Sequence, residues 1–230
     1  AVMIEGVQGE SGIHPATAEY LLGLRELCNH HDLLLHWDGV QCGHFRTGSF
    51  QSFQSILSDQ IGEFLPDAVG MAKSLGGGFP MGAVWISEKH AEVLSSGTHG
   101  STFGGNPLAC AVGNKILEII DRDNLEQNAC EIGQFFVSGL TKIQAKHLHV
   151  IKTIRGIGLM IGIEMNKDIA SFDKKTPASI QWVSALHEAG LMTIPAGDSI
   201  VRFLPPLNLT QKEAQAGLDL FEQTIKKLTS

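Results

Sequence analysis

Apolar and polar positions fall into blocks of strand and helix length along the chain. Residues 1–5 read as a strand, and residues 15–32 read as a helix. Leu21, Leu24, Leu27 and Cys28 recur at the three- and four-residue spacing of one helical face, and Thr17 is placed to cap the helix start. Residues 33–38 are then a continuous apolar run that ends on Asp38. Strand, helix and strand in this order, with runs too apolar for burial on one side only, predict a parallel sheet covered on both faces. A stretch rich in Ser and Gln at 49–66 reads as a polar linker, followed by short strands near 68–73 and 82–87. Asn106 and Pro107 suit a helix start, so one long helix is expected through to about residue 143, linking two domains.

From about residue 148 the pattern changes. VIKTIRG and GLMIGIEM read as strands, residues 177–189 as a helix, LMTIPA and IVRFLPP as strands, and 210–228 as a closing helix. Strands and helices mixed in this smaller set predict an α+β domain. The expected division is residues 1–145 for a large α/β domain with the linking helix, and 146–230 for the smaller one.

Composition narrows the partners more than the fold. The 230 residues are 43% hydrophobic and 18% charged, as in an ordinary globular protein long enough for a sizeable core. A formal net charge of -7, with no basic run longer than two, argues against nucleic acid or an anionic membrane as the main partner. No apolar stretch approaches the roughly 20 residues that span a bilayer, and AVMIEGVQGE lacks the layout of a signal peptide, so a cytoplasmic setting is expected. The four cysteines show no CxxC spacing and fit reduced, mostly buried thiols. Since AVMIEG already reads as a strand, the chain is expected to be part of something longer.

Two residues carry the candidate chemistry. Lys73 ends the apolar run AVGMAK and is followed by Gly76, Gly77 and Gly78. An ammonium there is costly to desolvate unless it is used or masked, which makes Lys73 a candidate Schiff-base lysine. The alternative is that Lys73 marks the place where a buried strand surfaces. Asp38 ends the earlier strand, and two strand ends bearing an acid and an amine suit the ligand crevice at the carboxyl edge of a parallel sheet.

Six segments then match one family in order across nearly the whole chain: EGVQGESGIHPA at 5–16, LLLHWDGVQCGHFRTG at 33–48, AKSLGGGFPMGA at 72–83, THGSTFGGNPLACA at 98–111, RGIGLMIGIE at 155–164 and VRFLPPL at 201–207. The sequence resembles the class III, fold type I aminotransferases that use pyridoxal phosphate, in particular the acetylornithine and ornithine branch. The resemblance implies a large domain with a mostly parallel sheet, incomplete at its N-terminal side, and a smaller C-terminal α+β domain. It implies transfer of an amino group to 2-oxoglutarate by a homodimer with shared active sites.

The resemblance also implies roles. Lys73 would hold the cofactor and shuttle a proton. Asp38 would pair with the pyridine nitrogen, Val40 would pack on the ring, and Gln41 would reach the phenolic oxygen. Thr102 would bind the phosphate of the neighbouring subunit's site, with Ser101 a second candidate; the hydroxyls and glycine amides ahead of a helix start suit a phosphate. Arg202, an arginine in an apolar strand, would grip a substrate carboxylate, and Glu10 would pair with Arg202 when that carboxylate is absent. A purely structural Glu10–Arg202 ion pair is the competing account. Gly39 stands where the family usually has an acid, and Gly6 where a proline is common.

Other signals are declined. His30 with His31 and His147 with His149 lack a third metal ligand at a fitting spacing. Gly156, Gly158 and Gly162 do not form the dinucleotide fingerprint. A decarboxylase or aminomutase of the same fold, or a truncated chain without activity of its own, remain the alternative functions.

Overall fold

The computed structural model describes residues 1–229, which form two compact units. Among these, the first comprises residues 1–7 and 16–126, the second residues 8–15 and 127–229.

The first unit holds a four-stranded sheet in the order β1 (Val2–Ile4), β4 (Leu35–Asp38), β5 (Ala68–Met71) and β6 (Ala83–Ile86). β1, β4 and β5 are parallel, as the unbroken apolar runs predict, with Ile4 beside Trp37 and Asp38 beside Gly70. β6 runs antiparallel to β5. The physical reason is the short connection over 72–82, since parallel neighbours need a crossover of a dozen residues or more. Helix α1 (Ala18–His30) begins where Thr17 caps the Tyr20 amide at 3.2 Å. Its inward face carries Leu21 and Cys28, while Leu27 is 47% exposed, because a helix turns Leu27 past the stripe those two define.

The expected polar linker contains α2 (Ser52–Leu57), whose Phe53 and Leu57 join Trp37, Leu35 and Phe64 in the core. The helical spacing of Phe53, Ile56 and Leu57 is present in the sequence beneath the Ser and Gln composition. Gly6 belongs to the same packing. A Cβ there would stand 2.3 Å from Trp37 Cζ2 and 2.6 Å from Ser52 Oγ, so the fully buried indole occupies the space a side chain would need. Gly6→Ala is therefore expected to cost about 1–3 kcal/mol, read as a lower urea midpoint at unchanged slope.

The expected long helix is two: α3 (Pro107–Arg122) and α4 (Leu125–Lys146). They are separated at Asn124, whose φ of 51° places it in the left-handed conformation that ends helices. The division between units lies here, ahead of residue 145, because Ala129, Ile132, Phe136, Leu140 and Ile143 of α4 all enter the second unit's core.

The second unit is an antiparallel sheet in the order β7 (Ile151–Ile157), β8 (Met160–Met165), β10 (Ile200–Phe203) and β9 (Ile194–Ala196), with α4, α5 (Ala178–Glu188) and α6 (Gln211–Thr229). Ile161, Ile163 and Met165 of β8, with Val201 and Phe203 of β10, point into the helical core. Phe203 packs on Phe136 and Phe221 with ring centroids 5.2 and 5.6 Å apart. Period-two alternation therefore sends Gly162, Glu164 and Arg202 to the opposite face. Residues 8–15 include β3 (His14–Pro15) and begin with the second residue of β2 (Val7–Gln8). His147 and His149 fall in the turn before β7 and not in a strand.

Candidate active site

In the first unit the carboxyl ends of β4 and β5 lie side by side, and both candidate residues are found there. Asp38 closes β4, and its Oδ1 accepts the Val40 amide hydrogen at 3.1 Å, an Asx turn that orients the carboxylate at the sheet edge. Val40 and Gln41 are half-buried in the turn that follows. Lys73 lies two residues beyond the end of β5, exposed, as the first residue of a 3-10 turn over Lys73–Gly76. Its φ is 48°, after a fully extended Ala72. A non-glycine residue in the left-handed region stores strain, which accumulates where function constrains the backbone.

The glycines behind Lys73 let α3 approach the turn. A Cβ on Gly77 would be 2.5 Å from Ile116 Cδ1, and Gly77 itself has φ 55°. Gly39 is explained by its neighbours as well. A Cβ there would come within 2.2 Å of Gln51 Oε1 and 3.1 Å of the Gly70 carbonyl oxygen, so the buried Gln51 fills the place of a side chain.

The loop after Asp38 is densely packed. Cys42 Sγ accepts from Ser52 Oγ at 3.0 Å, and burial pushes the Cys42 thiol up, away from a reactive thiolate. Cys28 and Cys42 are buried, Cys130 is half-buried and Cys110 is exposed, so two of the four fit the expected buried thiols. His44 is 1% exposed, stacks edge-on against Phe50, and has no hydrogen-bond partner on either ring nitrogen. Burial lowers its pKa from 6.5 to about 4. A base whose folded pKa is depressed adds stability that is complete above pH 6.5 and lost as the pH falls toward 4. Up to about 2 kcal/mol is expected to disappear over that window, once residual screening is allowed for. His44→Phe, which keeps the stacking, should flatten the acid side of a stability–pH curve measured by urea unfolding.

Ser101 and Thr102 occupy the exposed loop ahead of α3. Asn106 caps that helix, accepting from the Ala109 amide at 2.9 Å, and donates to the Phe103 carbonyl at 2.9 Å. One helix-start amide is thus already taken by the protein.

The second unit brings Arg202 and Glu10 together. Arg202 Nη1 donates to Glu10 Oε2 at 3.0 Å and Nη2 to Glu10 Oε1 at 3.3 Å, a two-pronged pairing. The same guanidinium donates to the carbonyls of Gly9 at 3.2 Å and Pro195 at 3.1 Å. The burial is unequal: the Arg202 side chain is 6% exposed and that of Glu10 is 80%. The fork is therefore held by the fold, while the carboxylate facing it can leave for water. Arg155, which donates to the Gly12 carbonyl, and Gly162, which packs under Ile13, lie within the RGIGLMIGIE segment, but their contact with the Glu10 loop has no local signal in the sequence.

Among the described residues no group of three or more His, Cys, Asp or Glu is placed to hold a metal ion, and no helix is long and apolar enough to cross a membrane.

The order of these elements is shared with known proteins. Residues 1–225 match the family model for aminotransferase class-III. The acetylornithine aminotransferase of Clostridium acetobutylicum is 41% identical over 227 residues, 98% of this chain and 54% of that protein. The succinylornithine transaminase of Yersinia pseudotuberculosis is 41% identical over 234 residues, covering all of this chain and 53% of that protein. The crystal structure of the acetylornithine aminotransferase from Elizabethkingia anophelis superposes with a TM-score of 0.85 at 31% identity, over 99% of this chain and 56% of that one. The chain thus spans about half the length of the curated relatives it matches. With Asp38 and Lys73 at neighbouring strand ends and a matching sequence over residues 1–225, the chain belongs to the class III aminotransferases.

Proposed function

We propose that this chain carries the cofactor and substrate groups of a pyridoxal-phosphate-dependent transaminase, which moves an amino group from an ornithine-like or acylornithine-like donor to 2-oxoglutarate. The observation that carries the reading is Asp38 and Lys73 at the carboxyl ends of parallel neighbours β4 and β5. The donor class follows that of the relatives, an acetylornithine aminotransferase and a succinylornithine transaminase.

The residues present fit the cofactor on the chemistry of the donor set: an oriented carboxylate, and an exposed amine carried on a left-handed backbone residue, at one sheet edge. Bound pyridoxal phosphate supplies an electron sink for the negative charge that develops when a proton leaves the substrate carbon. Asp38, its Oδ1 fixed by the Val40 amide, would keep a proton on the ring nitrogen through its remaining oxygen. Lys73 would hold the cofactor through its amine and would carry a proton to and from the substrate carbon. Val40 and Gln41, in the turn between, would pack on the ring and hydrogen-bond its phenolic oxygen. Arg202 would bind a substrate carboxylate through its fork, with Glu10 taking the fork when no such carboxylate is present.

The exposed loop bearing Ser101 and Thr102 supports a phosphate-binding role completed between two copies of the chain, and hence a homodimer with shared sites. The cellular compartment we propose is the cytoplasm. Residues 1–145 and 146–230 would correspond to the family's large and small domains.

The test is an absorbance titration of the purified chain with pyridoxal phosphate, followed by borohydride reduction and peptide mapping. A visible-range band with the label on Lys73, and turnover that depends on added 2-oxoglutarate, is the expected result. Carbon dioxide release without need of an oxo acid would point to a decarboxylase, and absence of any label would remove the reading for this chain.

A further inference from the structure

The Glu10–Arg202 contact depends on a loop whose seat is built by other residues. The strand register sets Arg155 of β7, Gly162 of β8 and Arg202 of β10 in one row across the sheet, on the face away from the helical core. The segment Gly9–Ile13 lies over this row and is fastened at both ends. Arg202 Nη1 donates to the Gly9 carbonyl at 3.2 Å, and Arg155 Nε donates to the Gly12 carbonyl at 3.0 Å. Arg155 is itself held by Glu164, with Nη1 3.0 Å from Oε2.

Between the two arginines the missing side chain of Gly162 makes the room. A Cβ there would stand 2.8 Å from Ile13 Cβ and 2.9 Å from the Gly12 carbonyl oxygen. Ile13 is fully buried although its φ is 61°, a conformation a β-branched residue keeps only where its surroundings impose it. Glu10 contrasts with this, because its side chain is 80% exposed. The seat of the loop, more than the packing of Glu10, keeps its carboxylate at Arg202.

We propose that Arg155, together with Gly162, is a positioning residue that holds the Gly9–Ile13 loop so that Glu10 occupies Arg202 until a substrate carboxylate displaces it. The proposal rests on the reading of Arg202 as the carboxylate fork. A tethered carboxylate competes at high effective concentration, so the firmness of the loop sets how strongly an incoming dicarboxylate must bind to displace it. Arg155 thereby tunes discrimination between substrates that bring a carboxylate to Arg202 and those that do not.

The experiment is a titration of the full chain with glutarate, an unreactive dicarboxylate, followed by NMR. If Glu10 holds the fork nine-tenths of the time, Glu10→Gln tightens glutarate binding about tenfold. Arg155→Gln and the charge-neutral Gly162→Ala should each tighten it about threefold or more, and adding Arg155→Gln to Glu10→Gln should bring nothing further. Weaker binding in both variants, or a gain that adds fully to that of Glu10→Gln, would overturn the positioning role. Glutarate binding indifferent to Arg202→Lys would instead remove the carboxylate-fork reading. A second readout needs no ligand: the guanidinium protons of Arg202 should exchange with water about tenfold faster in Arg155→Gln or Gly162→Ala, as expected when the covering pair opens more often. Unchanged exchange in a folded variant overturns the proposal whatever glutarate does.

Discussion

Lys73→Ala is expected to abolish borohydride-trapped labelling by pyridoxal phosphate and to lower transaminase turnover by roughly a thousandfold or more, while leaving the fold intact. The large effect follows from the two tasks assigned to one amine, covalent attachment, which water cannot provide, and proton transfer, for which water is a poor substitute. The small effect on folding follows from its place: Lys73 is exposed and lies outside both core clusters. Alanine at φ 48° carries much the same backbone penalty as lysine, so stability should move by less than about 0.5 kcal/mol. Circular dichroism and a urea midpoint, set beside the labelling assay, separate the outcomes. Normal turnover or a normal cofactor band in Lys73→Ala would return Lys73 to the role of a strand-end lysine.

Arg202→Lys is the second large effect. The fork makes two charge-assisted hydrogen bonds to a facing carboxylate, and an ammonium cannot reproduce that geometry. Loss of one such bond, at about 1.5–3 kcal/mol, corresponds to a rise of roughly 10- to 100-fold in KM for 2-oxoglutarate. The variant also deprives the Gly9 and Pro195 carbonyls of a donor each, so a stability loss of about 1–3 kcal/mol is expected. Glu10→Gln distinguishes a substrate fork from a structural ion pair. If the pair is structural, Glu10→Gln should resemble Arg202→Lys in stability and neither should alter KM. If the fork serves substrate, Glu10→Gln should bind the oxo acid at least as well as the parent chain, while Arg202→Lys binds it poorly.

Local signals made much of this molecule readable in advance. The Thr17 cap, the Asn106–Pro107 helix start and the strands of the second unit follow from residues within a turn or two of one another. Asp38 and Lys73 stood out because each is a charged residue at the end of an apolar run. Two elements are masked in the sequence by composition or by continuity. The Ser and Gln of residues 49–66 hid the Phe53, Ile56 and Leu57 spacing of α2, and the apolar content of α3 and α4 hid the single left-handed residue, Asn124, that separates them.

The two glycines that depart from the family pattern show the same boundary from the other side. Their identity is plain in the sequence, but the cause is not. Gly6 yields to the Trp37 indole and Gly39 to the Gln51 amide, neighbours that only the folded chain supplies.

By itself the sequence determined most of the element types, the parallel character of β1, β4 and β5, and the two strand ends that carry the acid and the amine, since these are recorded in periodicity and in charges placed against it. The tertiary structure alone decided that β6 reverses direction, that residues 8–15 join the second unit, and that Glu10 meets Arg202 across 192 positions over a row shared with Arg155 and Gly162. Contacts of that kind are set by strand register and by space left at a glycine. Neither leaves a periodic trace in the residues on its own side of the contact.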